Sequence, residues 1–136
     1  MPQARLYVPP MYRVGVDLVD VPAFAGRFTG RDALLAEIFT EAERAYCLKQ
    51  PSPWPHLAAR FAAKEAVLKA LRTGLAGAMG WQDIEVTRDP AGTPGLAITG
   101  ATADVVRQQG IVTSSVSLSH TATHAIAVVV LAPGSA

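Results

Sequence analysis

From residue 56 to residue 72 the chain has neither glycine nor proline and is dense in alanine and leucine, the composition that most favours an α-helix. At 100° per residue Leu57, Phe61, Leu68 and Leu71 fall on one stripe, so the spacing predicts a helix that buries this stripe. Lys64 falls inside the stripe, where a lysine is expected only if its stem lies along apolar surface and its head reaches water. The rest of the chain must find its place around this helix.

Residues 13–19 alternate, with Val14, Val16 and Leu18 on one face and Gly15 and Asp17 on the other, which is strand periodicity. Asp20 followed by Pro22 marks a helix start. Residues 26–30 begin and end in glycine and read as a break. Residues 31–39 have helical spacing in Leu34, Leu35 and Ile38, and Thr40-Glu41-Ala42-Glu43 reads as a capping box for a short helix to about Leu48. Pro51, Pro53 and Pro55 then interrupt the chain. Residues 73–80 carry Gly74, Gly77 and Gly80 and read as a loop. Residues 83–88 and 95–99 alternate as two strands around the turn Asp89-Pro90-Ala91-Gly92. A modest helix over 101–109 closes at Gly110. Residues 113–119 alternate strictly, and 124–131 read as a continuous buried strand joined to them through Thr121-Ala122-Thr123. Helices precede a strand-rich half, so the expected class is α+β, with helices packed on one side of a mainly antiparallel sheet. The expected organisation is an extended arm over 1–12, one domain over 13–132 and a short tail over 133–136.

A chain of 136 residues fits one domain and can bury a core without disulfide or metal staples. The formal net charge of +1 argues for neither a nucleic-acid binder nor a membrane-surface protein. Cys47 is the one cysteine, so no intrachain disulfide is available, which suits a reducing compartment. The first twelve residues lack the apolar run of a signal peptide, and the longest apolar run, 125–132, is too short to span a bilayer as a helix. A cytoplasmic location is expected.

The densest polar group lies on the main helix. Glu65 and Lys69 are four apart, as are Arg60 and Lys64, so each pair meets on the helix surface. Such pairs are common decoration and by themselves carry little. Asp17, ending an apolar strand, can be a hydrated strand end, a helix cap or a metal ligand. Together with Glu65 it could hold magnesium, which prefers oxygen ligands and keeps waters and substrate phosphate in its shell. Ser119-His120 is a weak hydrolase dyad, because neighbours on a strand leave opposite faces and no G-x-S-x-G elbow is present. His56, His120, His124 and Cys47 give no zinc spacing, and neither a Walker A sequence nor a G-x-G-x-x-G occurs.

Three blocks in order resemble the holo-acyl-carrier-protein synthase type of 4′-phosphopantetheinyl transferase. They are Val14-Gly15-Val16-Asp17-Leu18-Val19-Asp20; Phe39-Thr40 to Glu43 with Leu57-Ala58-Ala59-Arg60-Phe61-Ala62-Ala63-Lys64-Glu65-Ala66-Val67-Leu68-Lys69-Ala70-Leu71; and Val116-Ser117-Leu118-Ser119-His120-Thr121 with residues 125–131. Asp83-Ile84-Glu85-Val86, Gly92 and Pro94 link them in the same style. The resemblance covers roughly residues 13–131.

The resemblance implies magnesium-dependent transfer of 4′-phosphopantetheine from coenzyme A to a serine of an apo acyl carrier protein, with release of adenosine 3′,5′-bisphosphate. Asp17 and Glu65 would bind magnesium, and Lys69 would touch the attacked phosphate. Arg60, Lys64, Ser119 and His120 would bind the nucleotide end of coenzyme A. Gly74, in Arg72-Thr73-Gly74 where the family often shows Gly-Thr-Gly, would present backbone to a phosphate. The family works as a homotrimer with active sites between subunits, and serves fatty acid biosynthesis. The rival readings are a non-catalytic module that binds coenzyme A or a carrier, a structural trimer, and a Ser-His hydrolase.

Overall fold

The computed structural model describes residues 2–6 and 11–134, so the expected arm and tail fall partly outside the described residues. Among the described residues five strands and five α-helices follow in the order β1 (Arg13–Asp20), α1 (Val21–Phe28), α2 (Asp32–Ile38), α3 (Glu41–Leu48), α4 (Pro53–Leu71), β2 (Ile84–Arg88), β3 (Pro94–Ile98), α5 (Gly100–Gln108), β4 (Ile111–His120) and β5 (His124–Pro133). A 3-10 turn, Trp81–Asp83, leads into β2. The fold is α+β, with helices against antiparallel sheets, as the sequence order of elements implies. None of the described helices is long and apolar enough to cross a membrane.

Local sequence sets the helix starts. The Asp20 carboxylate accepts from the Ala23 N–H at 2.8 Å and caps α1, with Pro22 in its first turn. Thr40 and Glu43 close the capping box of α3 in both directions. Two expectations are corrected. Gly26 lies within α1, so the break falls after Phe28. Pro53 and Pro55 open α4 rather than interrupt the chain, because proline in a first turn forfeits only N–H groups that lack a helical partner. At its other end α4 stops at Arg72, whose φ of 58° is left-handed, while the Thr73 N–H returns to the Leu68 carbonyl at 3.0 Å.

Strands pair in the order β1–β5–β4 in one sheet and β2–β3 in another, all antiparallel. Helix α4 lies across the first sheet and is buried on most of its circumference, not on one stripe as the spacing predicts. Alanines 58, 59, 62, 63, 66 and 70 are the reason, since they let neighbours approach on several sides. Gly15 of β1 sits directly under this helix. A β-carbon built there would lie 1.8 Å from the Ala66 carbonyl oxygen, so only glycine permits the contact.

The reading of β5 as buried throughout is also corrected. Ala125, Ala127, Val129 and Leu131 face the core, whereas Ile126 and Val128 are exposed. The register sets Val14, Val16 and Leu18 beside Val130, Val128 and Ile126, and next to these Ser115, Ser117 and Ser119. The sheet therefore turns its valine- and leucine-bearing β1 face outward and its Gly15/Asp17 face towards α4.

Candidate active site

Because Gly15 brings α4 onto β1, Asp17 comes to lie against the helix beside Glu65 and Lys69. The Lys69 ammonium donates to the Asp17 carboxylate at 2.9 Å and to the Val16 carbonyl at 3.1 Å, across 52 residues of sequence. Lys69 thus turns to Asp17 rather than forming the expected helix pair with Glu65. Asp17, Glu65 and Phe61 line one cleft of about 340 Å³ together with Asp20, Phe24 and Arg27 of the β1–α1 segment. Partial burial, reinforced by the Asp17 charge and opposed by Lys69, holds the Glu65 carboxyl above the usual carboxylate range.

Two facing carboxylates in an open cleft are a sparse donor set, and among the described residues no group of three or more His, Cys, Asp or Glu side chains gathers into a fuller one. All the protein donors are oxygens, and that matches magnesium, which takes one or two carboxylates and leaves room for waters and phosphate.

Arg60 and Lys64 point elsewhere. Lys64, expected at the nucleotide end, is fully buried, and its ammonium bonds to protein groups. It bonds to the Glu43 carboxylate at 2.8 Å, to the Trp81 carbonyl at 3.2 Å and to the Ile84 carbonyl, which exhausts its three donors. Glu43 in turn accepts from the Thr40 and Val86 N–H groups. Burial pulls the Lys64 ammonium below the ordinary lysine range, and Glu43 opposes that shift. Arg60 is buried at 2 % exposure and lines a second cleft, of about 290 Å³, between α3, α4 and β2. On α4 it stands ~140° round the axis from Glu65 at 100° per residue, so the two clefts occupy different faces of the helix.

Ser119 and His120 leave opposite faces of β4, as strand geometry requires. Ser119 shares the outer face with Ile126, while the His120 ring meets the edge of His56 at 4.7 Å between centroids. His56, on the first turns of α4, lies within the influence of Arg60. His120 and Arg60 therefore belong to one basic neighbourhood. Gly74 is exposed in the loop after α4, and a β-carbon there would meet nothing within 4 Å, so the chain's own packing does not require glycine at that position.

Sequence reasoning missed Phe61, Asp20 and Arg27 as cleft residues. A signal was present, since residues 20, 23, 24 and 27 follow the i, i+3, i+4, i+7 spacing of one helix face.

The family model of the 4′-phosphopantetheinyl transferase superfamily matches residues 13–129. The chain is 45% identical over 125 residues to the holo-[acyl-carrier-protein] synthase of Syntrophotalea carbinolica, covering 90% of this chain and 97% of that one. Its fold is similar to the crystal structure of the holo-[acyl-carrier-protein] synthase from Neisseria meningitidis, with a TM-score of 0.79 and 31% identity over 88% of this chain and 96% of that one. It is equally similar to the synthase in its coenzyme A complex from Chronobacterium ammoniagenes, with a TM-score of 0.78 and 31% identity over 91% and 98% of the two chains.

Proposed function

The chain belongs to the 4′-phosphopantetheinyl transferase superfamily and is a transferase of that class, and from this premise we propose that it is a magnesium-dependent holo-acyl-carrier-protein synthase. The observation that carries the reading is the meeting of Asp17 and Glu65 in one cleft, with Lys69 hydrogen-bonded to Asp17, although Asp17 stands on a different element from the other two. The substrates are coenzyme A and an apo acyl carrier protein, by likeness to relatives of that name and to the coenzyme A complex.

In the proposed reaction the seryl oxygen of the carrier bonds to the phosphorus that bears pantetheine. The bond from that phosphorus to the adenosine 3′,5′-bisphosphate oxygen breaks, and the seryl proton leaves to a cleft carboxylate or a water. Such transfers need positioning and charge neutralisation more than covalent help. Asp17 and Glu65 would hold magnesium, which supplies Lewis acidity to the diphosphate when bound. Lys69, anchored by Asp17 and Val16, keeps a donor for the attacked phosphate. Phe61 and Phe24 restrict water on the apolar side of the cleft. Arg60 and His120, on the basic side of the protomer, take the nucleotide end, and Ser119, which leaves the opposite face of β4, would meet it from the outward side of the sheet.

These two sets face different ways within one protomer, so one coenzyme A bridges the carboxylate cleft of one copy and the basic region of a neighbour. The outward face of the sheet supports a homotrimer. Val14, Val16 and Leu18 are 62%, 49% and 64% exposed, next to Ile126 and Val128, a continuous apolar surface of the kind that marks an interface. The test is steady-state transfer by Lys69→Ala. The variant should lose about 2–4 kcal/mol of transition-state stabilisation, read as a fall in kcat. A change below about twofold in kcat would make Lys69 a structural residue only.

A further inference from the structure

The apolar wall of the carboxylate cleft is supported by a residue that does not line it. Phe61 and Glu65 are one turn apart on α4 and both line the cleft, so the place of the Phe61 ring decides how much space and water lie beside the Glu65 carboxylate. The Phe61 ring is half-buried and packs on two others. One is Phe24 of α1, itself a lining residue, with ring centroids 5.5 Å apart. The other is Trp81, outside the lining, with centroids 5.1 Å apart and planes inclined at 40°. Tilted pairs at this separation are attractive beyond the area they bury, so the indole favours one setting of the Phe61 ring.

The second observation is how firmly Trp81 is itself placed. It opens the 3-10 turn before β2, and that turn is tied at each of its three residues. The Trp81 carbonyl accepts from the buried Lys64 ammonium at 3.2 Å. The Gln82 amide donates to the carbonyls of Ala36, in α2, and of Phe39, just after it. The Asp83 carboxylate accepts from the Gly80 N–H at 3.2 Å and from the Thr102 hydroxyl, in α5, at 2.8 Å. Three helices therefore fix one short turn, and the indole it carries packs against both apolar clusters of the core. A connecting turn is ordinarily the mobile side of a contact. Pinned in this way, it becomes a rigid support for the ring in front of it.

We infer that Trp81 is a positioning residue for the transfer, acting through Phe61 to hold the apolar wall of the cleft beside Glu65. The inference rests on the transferase reading for the reaction that it serves. Such a transfer depends on the placing of its reacting groups more than on covalent help, so a wall that shifts costs turnover. It costs little binding of coenzyme A, whose nucleotide end is held on the basic side of the protomer.

Steady-state transfer and crystallography of full-chain variants test this together. Trp81→Leu keeps an apolar side chain but removes the ring. It should lower kcat about tenfold and leave KM for coenzyme A within about twofold, in protein that remains folded by circular dichroism. Trp81→Phe, which restores a ring, should recover most of kcat. In a Phe61→Leu background the Trp81→Leu change should lower kcat little further, because the residue it acts through is gone. The crystal structure of Trp81→Leu should show the Phe61 ring displaced. An unchanged kcat, a raised KM at unchanged kcat, or losses that multiply in the double variant overturn the inference. So does a Phe61 ring that has not moved, and so does a Trp81→Leu protein that is unfolded at the assay temperature, which would make Trp81 a core residue only. The transferase reading fails separately. Unmodified protein that modifies no carrier would retire that reading, while the Phe61 ring in Trp81→Leu would still decide whether Trp81 places it.

Discussion

At the scale of single residues, two backbone positions decide whether the site can form. Gly15 lets α4 touch β1 and so brings Asp17 to Lys69. Its role was hidden in the sequence, because a glycine on the polar side of a strand looks like a gap and not like a contact. Arg72 is the reverse case. It holds a left-handed conformation at the end of α4 that glycine adopts without strain, at the place where the family often has glycine. Arg72→Gly should therefore stabilise the fold by about 1 kcal/mol, seen as a higher denaturant midpoint at unchanged slope. A lower midpoint would mean that the Arg72 side chain holds the loop after α4 in a way its backbone angle does not reveal.

At the scale of elements, sequence pattern located every helix and strand but misjudged what each one buries. Alternation placed β1 and β4, and the capping box fixed the start of α3. The character of α4 was less legible, because an alanine-rich helix buried on many sides has no single apolar stripe to read. Lys64 shows the consequence. A lysine in an apolar stripe suggests a ligand or a snorkelling chain, and only the tertiary fold supplies Glu43 from α3 and the carbonyls before β2. This pair ties α3, α4 and β2 together behind the basic cleft. Lys64→Met should cost about 3–5 kcal/mol of stability by leaving the Glu43 carboxylate buried and alone. Adding Glu43→Gln to it should recover a large part, since the amide oxygen still accepts an N–H. Little destabilisation together with a raised KM for coenzyme A would return Lys64 to the ligand-binding set.

At the scale of the whole molecule, the alternation that identified β1 and β5 could not say which face looks inward. The face that carries Val14, Val16 and Leu18 looks outward because Gly15, Asp17 and Val19 lie against α4 and α1. That choice leaves an apolar surface exposed on the sheet. If the proposed trimer forms through this surface, a Val128→Lys substitution on it should leave only monomer in light scattering and abolish transfer, while each protomer remains folded by circular dichroism. A trimer that survives the charge would place the interface elsewhere.

The central claim is that the cleft of Asp17 and Glu65, with Lys69 bonded to Asp17, performs the transfer, and the most direct measurement is the intact mass of an apo acyl carrier protein after incubation with this chain, coenzyme A and magnesium. The account predicts a gain of one phosphopantetheine group, lost on chelation and lost again in Asp17→Asn and Glu65→Gln, both of which stay folded. A gain that persists in both variants, or no gain on fatty-acid, polyketide and peptide-synthase carriers alike with folded protein, would contradict it.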